Sequence, residues 1–291
     1  MVKSNLKEKK STSKANLKVV ENSSVKTTAY SDINLKDWRN YEHIKTDTLW
    51  EFPNRLKEGG HSNEYHGNYI PQIAQQIYER YTKKNDIVLD LFFGSGTSGI
   101  EAINMNRRCI GVELKDELAE SVSEKFTPKQ LVTDVNIICA DSASELAKEK
   151  IKARLDIMGA KKAQLLMLHP PYDDIIKFSD KKEDLSNCAT TEEFYDLFEK
   201  VAKNGYDMLE KGRFACLIIG DKYANSQHIP LGFECMARMN KLGFITKAII
   251  IKDMQGNERA KGKTANLWRY RALAGGFYIF KHEYVMVFQK V

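Results

Sequence analysis

An α/β fold, with a mostly parallel sheet and helices on both faces, is what this sequence predicts, and three observations carry the prediction. Short apolar runs alternate with amphipathic stretches along residues 70–251, the strand–helix order that builds a parallel sheet. The runs themselves, such as DIVLDLFF at 86–93 and AQLLMLH at 163–169, are apolar nearly throughout, so both of their faces should be covered. Directly after the first run comes the glycine-rich DLFFGSGTSGIEA, a turn that joins strand to helix in ligand-binding sheets.

Taken in order, residues 1–30 hold seven lysines against two glutamates, with many Ser, Thr and Asn. Such a segment buries too little apolar surface to offset its ordering entropy and is expected to be a disordered basic arm. Residues 31–65 bring aromatics (Trp38, Tyr41, Trp50, Phe52), enough to pack onto a domain but not to form one. The domain itself is expected over 66–291. It opens with YIPQIAQQIYERYTKK, which sets Ile70, Ile73, Ile77 and Tyr81 on one helical face, with Pro71 in the first turn, where proline is tolerated. Strand 86–93 is followed by a helix from about Thr97, strand RCIGVEL (108–114) by helix KDELAESVSEKF, and strand NIICAD (136–141) by helix SASELAKEKIKARLD. Strand 163–169 runs into prolines. The amphipathic TEEFYDLFEKVAKNGYDMLEKG precedes RFACLIIGD (213–221), and GFITKAIII (243–251) and EYVMVFQKV (283–291) are the last strand-like runs. Between those two lies an insertion, about 252–281, with seven basic residues against two acids.

Composition narrows the functional classes. A chain of 291 residues, 42% hydrophobic and 29% charged, can bury one sizeable core. Its net charge of +6 suits a polyanionic partner. No apolar run approaches a membrane span, and the lysine-rich start has no apolar signal core, so no membrane association is expected. Cys109, Cys139, Cys188, Cys216 and Cys235 are widely separated, with no Cys-x-x-Cys pair. Neither a metal site nor a disulfide framework is expected, and the cytoplasm is the expected compartment.

Candidate site residues collect at the ends of the strands. Gly94, Gly96 and Gly99 fit Gly-x-Gly-x-x-Gly, which alone serves a nicotinamide, a flavin or an adenosyl ligand. The second strand ends in Glu113, seventeen positions past Gly96, about where an acid accepts hydrogen bonds from ribose hydroxyls. The third ends in Asp141. The fourth ends in LLMLHPPYDD. Proline lacks an N–H and fixes its own φ, so the ladder stops there, and a rigid His169-Pro170-Pro171-Tyr172 is delivered to the same edge. A dehydrogenase would use the glycine turn and Glu113 but leaves His-Pro-Pro-Tyr without a task.

DLFFGSGT together with HPPY resembles the amino-methyltransferases that use S-adenosylmethionine to methylate exocyclic nitrogens in DNA. Their tetrapeptide is usually Asp-, Asn- or Ser-Pro-Pro-Tyr/Phe. The likeness runs from about 48 to 291 and takes in HGNYIPQIAQQI, GVEL, CADS and LIIGD, while WEFPNR and HPPYDDIIKFS resemble a His-Pro-Pro-Tyr subgroup. It implies a Rossmann-like seven-stranded methyltransferase sheet, mostly parallel with an antiparallel last strand. It implies a cofactor site of Asp90, Gly94, Ser95, Gly96, Thr97, Glu113 and Asp141, with Tyr69 and Pro71 near the methionine end. It further implies that the His169 side chain and the Pro170 carbonyl accept the N–H groups of the target amine, and that Tyr172 stacks on a flipped base. His169 departs from the usual pattern: Asp goes with adenine N6 and Ser with cytosine N4, so the target base stays open. An imidazole accepts through its unprotonated nitrogen and ordinarily titrates near neutrality, so uptake of the departing proton is a second expected role.

Carbon-5 cytosine methylation is excluded, because in that family the nucleophile sits on a Pro-Cys pair and no cysteine here follows a proline. DNA phosphates are expected to meet Lys177, Arg259, Lys261, Lys263, Arg269 and Arg271, the last five interleaved with aromatics. KFSDKKEDLSN is expected to close over the target. DNA and a restriction or specificity chain are the expected partners; the oligomeric state is left open. The competing readings are an RNA or protein-amide methyltransferase and a nucleic-acid scaffold that has lost catalysis.

Overall fold

The computed structural model describes residues 26–61, 67–126, 134–254 and 265–291. In chain order its elements are β1 (Leu49–Trp50), α1 (Pro71–Tyr81), β2 (Ile87–Asp90), α2 (Thr97–Asn104), β3 (Arg108–Glu113), α3 (Asp116–Phe126), β4 (Val135–Cys139), α4 (Glu145–Ile157) and β5 (Ala163–Leu168). There follow α5 (Thr191–Met208), β6 (Leu209–Ile219), β7 (Lys222–Ala224), β8 (Gln227–Ile229), α6 (Leu231–Lys241), β9 (Phe244–Asp253), α7 (Ala265–Gly275) and β10 (His282–Lys290).

The main sheet has eight strands in the order β1-β9-β10-β6-β5-β2-β3-β4. Strand β10 runs antiparallel to both of its neighbours, and every other pairing in this sheet is parallel. The seven-stranded expectation is corrected by β1, whose two residues pair with Ile251 and Lys252 of β9. So short a strand has no periodicity to read. It is held by Trp50, which is buried and donates its indole N–H to the Asp47 carbonyl at 3.1 Å.

The central strands bury both faces, as their composition requires. Leu89, Leu166, Leu168 and Leu217 point into one cluster with Phe194 and Phe198 of α5. Val88, Leu165, Met167 and Ile218 point into the other with Ile73 and Ile77 of α1. Alternate side chains of one strand thus seed two cores, the geometry of period-two side chains in a doubly covered sheet. The sheet changes direction between β2 and β5: β3 and β4 extend one way, β6 the other. Ligands bind outside the carboxyl ends of strands at such a switch point. The insertion leaves from this same edge, because Asp253 pairs with His282 and Tyr284 with Ile219. Among the described residues, no helix is long and apolar enough to cross a membrane.

Candidate active site

At the end of β2 the chain turns through Gly94 to Gly96, which takes a left-handed φ of 90° as the N-cap of α2. A Cβ at Gly96 would lie 3.0 Å from Val122 and 3.2 Å from Phe126, so both conformation and space call for glycine. The turn presents the first backbone N–H groups of α2 to the edge. Glu113, at the end of β3, braces it: Oε2 accepts from the Gly94 N–H and Oε1 from the Lys115 N–H, both at 2.9 Å. Each oxygen keeps lone-pair capacity for a further donor. Burial pushes the Glu113 carboxyl above its ordinary range, and these backbone bonds oppose that push. Asp141 lies two residues beyond β4, which ends at Cys139, and accepts from the Ala143 N–H at 2.9 Å. Burial raises its carboxyl too.

These groups border a cleft of about 830 Å³, open to solvent. Of the residues expected from the sequence, Tyr69, Gly94, Thr97, Glu113, Asp141, His169, Pro170 and Pro171 line it. Pro71, Asp90, Ser95, Gly96 and Tyr172 do not. Pro71 is the buried first residue of α1. Asp90 lies beneath the turn, accepting from the Phe92 N–H at 2.9 Å and the Ser98 hydroxyl at 2.5 Å. Ser98 in turn shares a hydrogen bond with the Tyr69 hydroxyl at 2.5 Å. Asp90 therefore shapes the cleft from behind, through Ser98 and Tyr69.

Burial raises the Asp90 carboxyl to about 6, against the opposing bonds from Ser98 and Phe92. Between the unfolded value, about 3.9, and 6 the folded state binds the proton more tightly, so this group's contribution to stability falls as pH rises through that window. At about 1.4 kcal/mol per pH unit of displacement the loss by pH 7 is on the order of 3 kcal/mol. Asp90→Asn removes it. Urea midpoints at pH 4.5 and pH 7 should shift in favour of the variant as pH rises; a pH-independent difference would contradict the assignment.

The tetrapeptide follows β5. The His169 ring meets Tyr69 edge-on at 5.3 Å and Tyr172 at 5.8 Å between centroids. Burial lowers its pKa to about 4, opposed by Glu283 and helped by Lys252 and Arg55. At neutral pH the ring is thus uncharged and able to accept a hydrogen bond. Tyr172 turns its ring toward Gly220, where a Cβ would stand 2.9 Å from it, and donates its hydroxyl to Glu283 Oε2 at 2.8 Å. Buried Asp173, at a φ of 53°, anchors the chain beyond by pairing with Lys222 at 2.6 Å and accepting from the Thr191 hydroxyl at 2.7 Å.

Several cleft residues escaped the sequence reading, among them Gly67, Asn68, Phe92, Phe178 and Asp184. The Phe178 ring packs so close to Gly67 that a Cβ there would lie 2.7 Å away. Asp184 accepts from the Ser186 N–H at 2.9 Å and the Ser179 hydroxyl at 2.6 Å. Lys181 reaches the Leu114 carbonyl at 2.7 Å and Asp116 at 2.5 Å. The segment read as closing over the target is thus latched to the end of β3. The signal available was a lone Phe178 among charges. Of the basic candidates, Lys177 is exposed and paired with Asp180 at 2.6 Å. Arg269 and Arg271 are exposed on α7, with Arg271 5.2 Å from the Trp268 ring centroid. Arg259, Lys261 and Lys263 lie outside the described residues.

Two acids on successive strand ends, a glycine turn beside the first of them and the apolar walls of Phe92, Val112 and Leu114 fit a nucleoside: acceptors for a ribose diol and a ring amine, with apolar surface for the ring. Glu113, Asp141 and Gly94 would hold it. Fold and site together define an α/β protein with a nucleoside-sized cleft at the switch point of its sheet.

The N6_N4_Mtase family model, described as a DNA methylase, matches residues 2–124 and 163–291, and the chain belongs to that family. It is similar to the type II methyltransferase M.SmaI of Serratia marcescens, 47% identical over 95 residues, 31% of this chain and 32% of that protein. The DNA adenine methyltransferase YhdJ of Escherichia coli is 32% identical over 112 residues, 38% of this chain and 35% of YhdJ. The probable type III restriction-modification enzyme HindVI Mod subunit of Haemophilus influenzae is 35% identical over 100 residues, 33% of this chain and 13% of the subunit. The matches thus span about a third or less of these relatives.

Proposed function

We propose that the chain transfers the methyl group of S-adenosylmethionine to the exocyclic amino group of an adenine or cytosine flipped out of DNA. The observation that carries this is the presence of His169 and Pro170 in the wall of the same cleft as Glu113 and Asp141. An exocyclic amine is a poor nucleophile because its lone pair is delocalised into the ring. Two fixed acceptors, the His169 imidazole and the Pro170 carbonyl, draw its N–H groups aside and favour a pyramidal nitrogen. When bound, S-adenosylmethionine supplies an activated methyl on a sulfonium. The chain's own contribution is alignment of nitrogen with that methyl, an effect that can supply several kcal/mol. Half-buried Tyr172 offers aromatic surface to the base; stacking returns roughly 1–3 kcal/mol against the few kcal/mol that flipping costs.

The phosphate contacts are assigned to Lys177 and to the insertion: Arg259, Lys261, Lys263, Arg269 and Arg271. Each phosphate neutralised adds about −0.9 to the slope of log K against log salt. Replacing Arg269 and Arg271 together by alanine should therefore make the slope about 1.8 units shallower, read by fluorescence anisotropy on duplex DNA. An unchanged slope would remove α7 from the interface. The name of the Mod-subunit relative supports a restriction-modification setting, with a partner chain and site-specific methylation.

Labelled S-adenosylmethionine offered to DNA, RNA and protein in parallel tests the substrate class. Label in DNA is expected. Label in RNA or protein would overturn the substrate, and binding of DNA with no label anywhere would favour the scaffold.

A further inference from the structure

We infer that Glu283 is a positioning residue that, through Tyr172, fixes which nitrogen of His169 carries the proton and leaves Nδ1 as the acceptor for the target amine. The inference deepens the proposed function and rests on it for the role of the amine.

Glu283, at the start of β10, faces Lys252 of β9 in register. Both side chains are buried, with Lys252 Nζ 3.0 Å from Glu283 Oε1. An ammonium has only donors, so Oε1 is committed to it. Oε2 accepts the hydroxyl proton of Tyr172 at 2.8 Å. A phenol has one proton to give. Having donated it to Glu283, the Tyr172 oxygen can only accept from His169, whose Nε2 lies 3.4 Å away. That contact requires Nε2–H. The ring is neutral at pH 7, and a neutral imidazole carries a single N–H, so the lone pair is on Nδ1. Tyr172 stays protonated, because burial and Glu283 hold its hydroxyl well above its ordinary range. Among the described residues the Tyr172 hydroxyl is the one hydrogen-bond partner of the His169 ring, and His169 lines the cleft. The run from Lys252 through Glu283 and Tyr172 to His169 has one direction. Reversed, it would put a proton on Nδ1, and the ring would oppose the amine's N–H with one of its own.

Glu283→Gln reverses it. Its amide oxygen stays with Lys252, since an ammonium cannot accept from the amide nitrogen, and the NH₂ group turns to Tyr172. Tyr172 must then accept from the glutamine and donate to His169 Nε2, which moves the ring proton to Nδ1. The test is ¹⁵N NMR of the full chain labelled at histidine, without substrate, with His169 assigned by its loss in His169→Asn. The wild type should show the Nε2-protonated pattern and Glu283→Gln the Nδ1-protonated one. In Tyr172→Phe the link is cut but the Glu283–Lys252 pair remains, and the two patterns should mix; this variant serves if Glu283→Gln fails to fold. Methyl transfer by Glu283→Gln should fall in kcat by about tenfold or more, with KM for S-adenosylmethionine unchanged. Nδ1 protonation in the wild type, or a pattern indifferent to either change, overturns the inference. Because the proton position is read without substrate, the expected patterns with no methyl transfer would sink the proposed function alone. Active wild type with an indifferent pattern would sink this inference alone.

Discussion

Replacing His169 by alanine is expected to lower methyl transfer by about two to three orders of magnitude, the usual cost of removing one preorganised hydrogen-bonding group from a reacting centre. S-adenosylhomocysteine should still bind within about threefold. The separation follows from the hydrogen bonds. The His169 ring bonds to Tyr172, whereas the glycine turn is braced by Glu113, so loss of the imidazole leaves the cofactor acceptors in place. His169→Asn should recover part of the rate, because an amide oxygen also accepts. Single-turnover rates beside a binding isotherm make the comparison. A His169→Ala variant with a near wild-type rate would show that the tetrapeptide does not hold the amine.

Glu113→Ala should behave in the opposite sense. Hydrogen bonds to a charged group contribute about 1.5–3 kcal/mol each. Loss of two to a ribose diol would weaken S-adenosylhomocysteine binding by roughly 10²- to 10⁴-fold. Part of the loss would come through the turn, since Glu113 also holds the Gly94 and Lys115 N–H groups. Transfer at saturating S-adenosylmethionine should largely recover. Calorimetric titration gives the affinity, and unchanged binding would place the ribose elsewhere.

Much of the fold is legible in the sequence because a doubly covered parallel sheet writes its strands as continuous apolar runs. Such a sheet also sends every carboxyl end to one edge, so the places of Glu113, Asp141 and His169 at or just past the ends of such runs are enough to group them. What could not be read was made by tertiary pairing. The Tyr172–Glu283 bond joins residues 111 apart and exists only because β10 inserts between β6 and β9. The lowered pKa of His169 is likewise a property of its burial, and a residue type at a strand end does not carry it. The β7–β8 hairpin, α6, α7 and the two-residue β1 were missed because short or weakly patterned segments take their structure from what they pack against.

The most direct measurement is chromatography and mass spectrometry of nucleosides from DNA treated with the wild type or His169→Ala in the presence of S-adenosylmethionine. The wild type should yield N6-methyladenine or N4-methylcytosine, and the variant little of either. A product methylated at ring carbon, or one formed equally well without His169, would contradict transfer to an exocyclic amine held by the tetrapeptide.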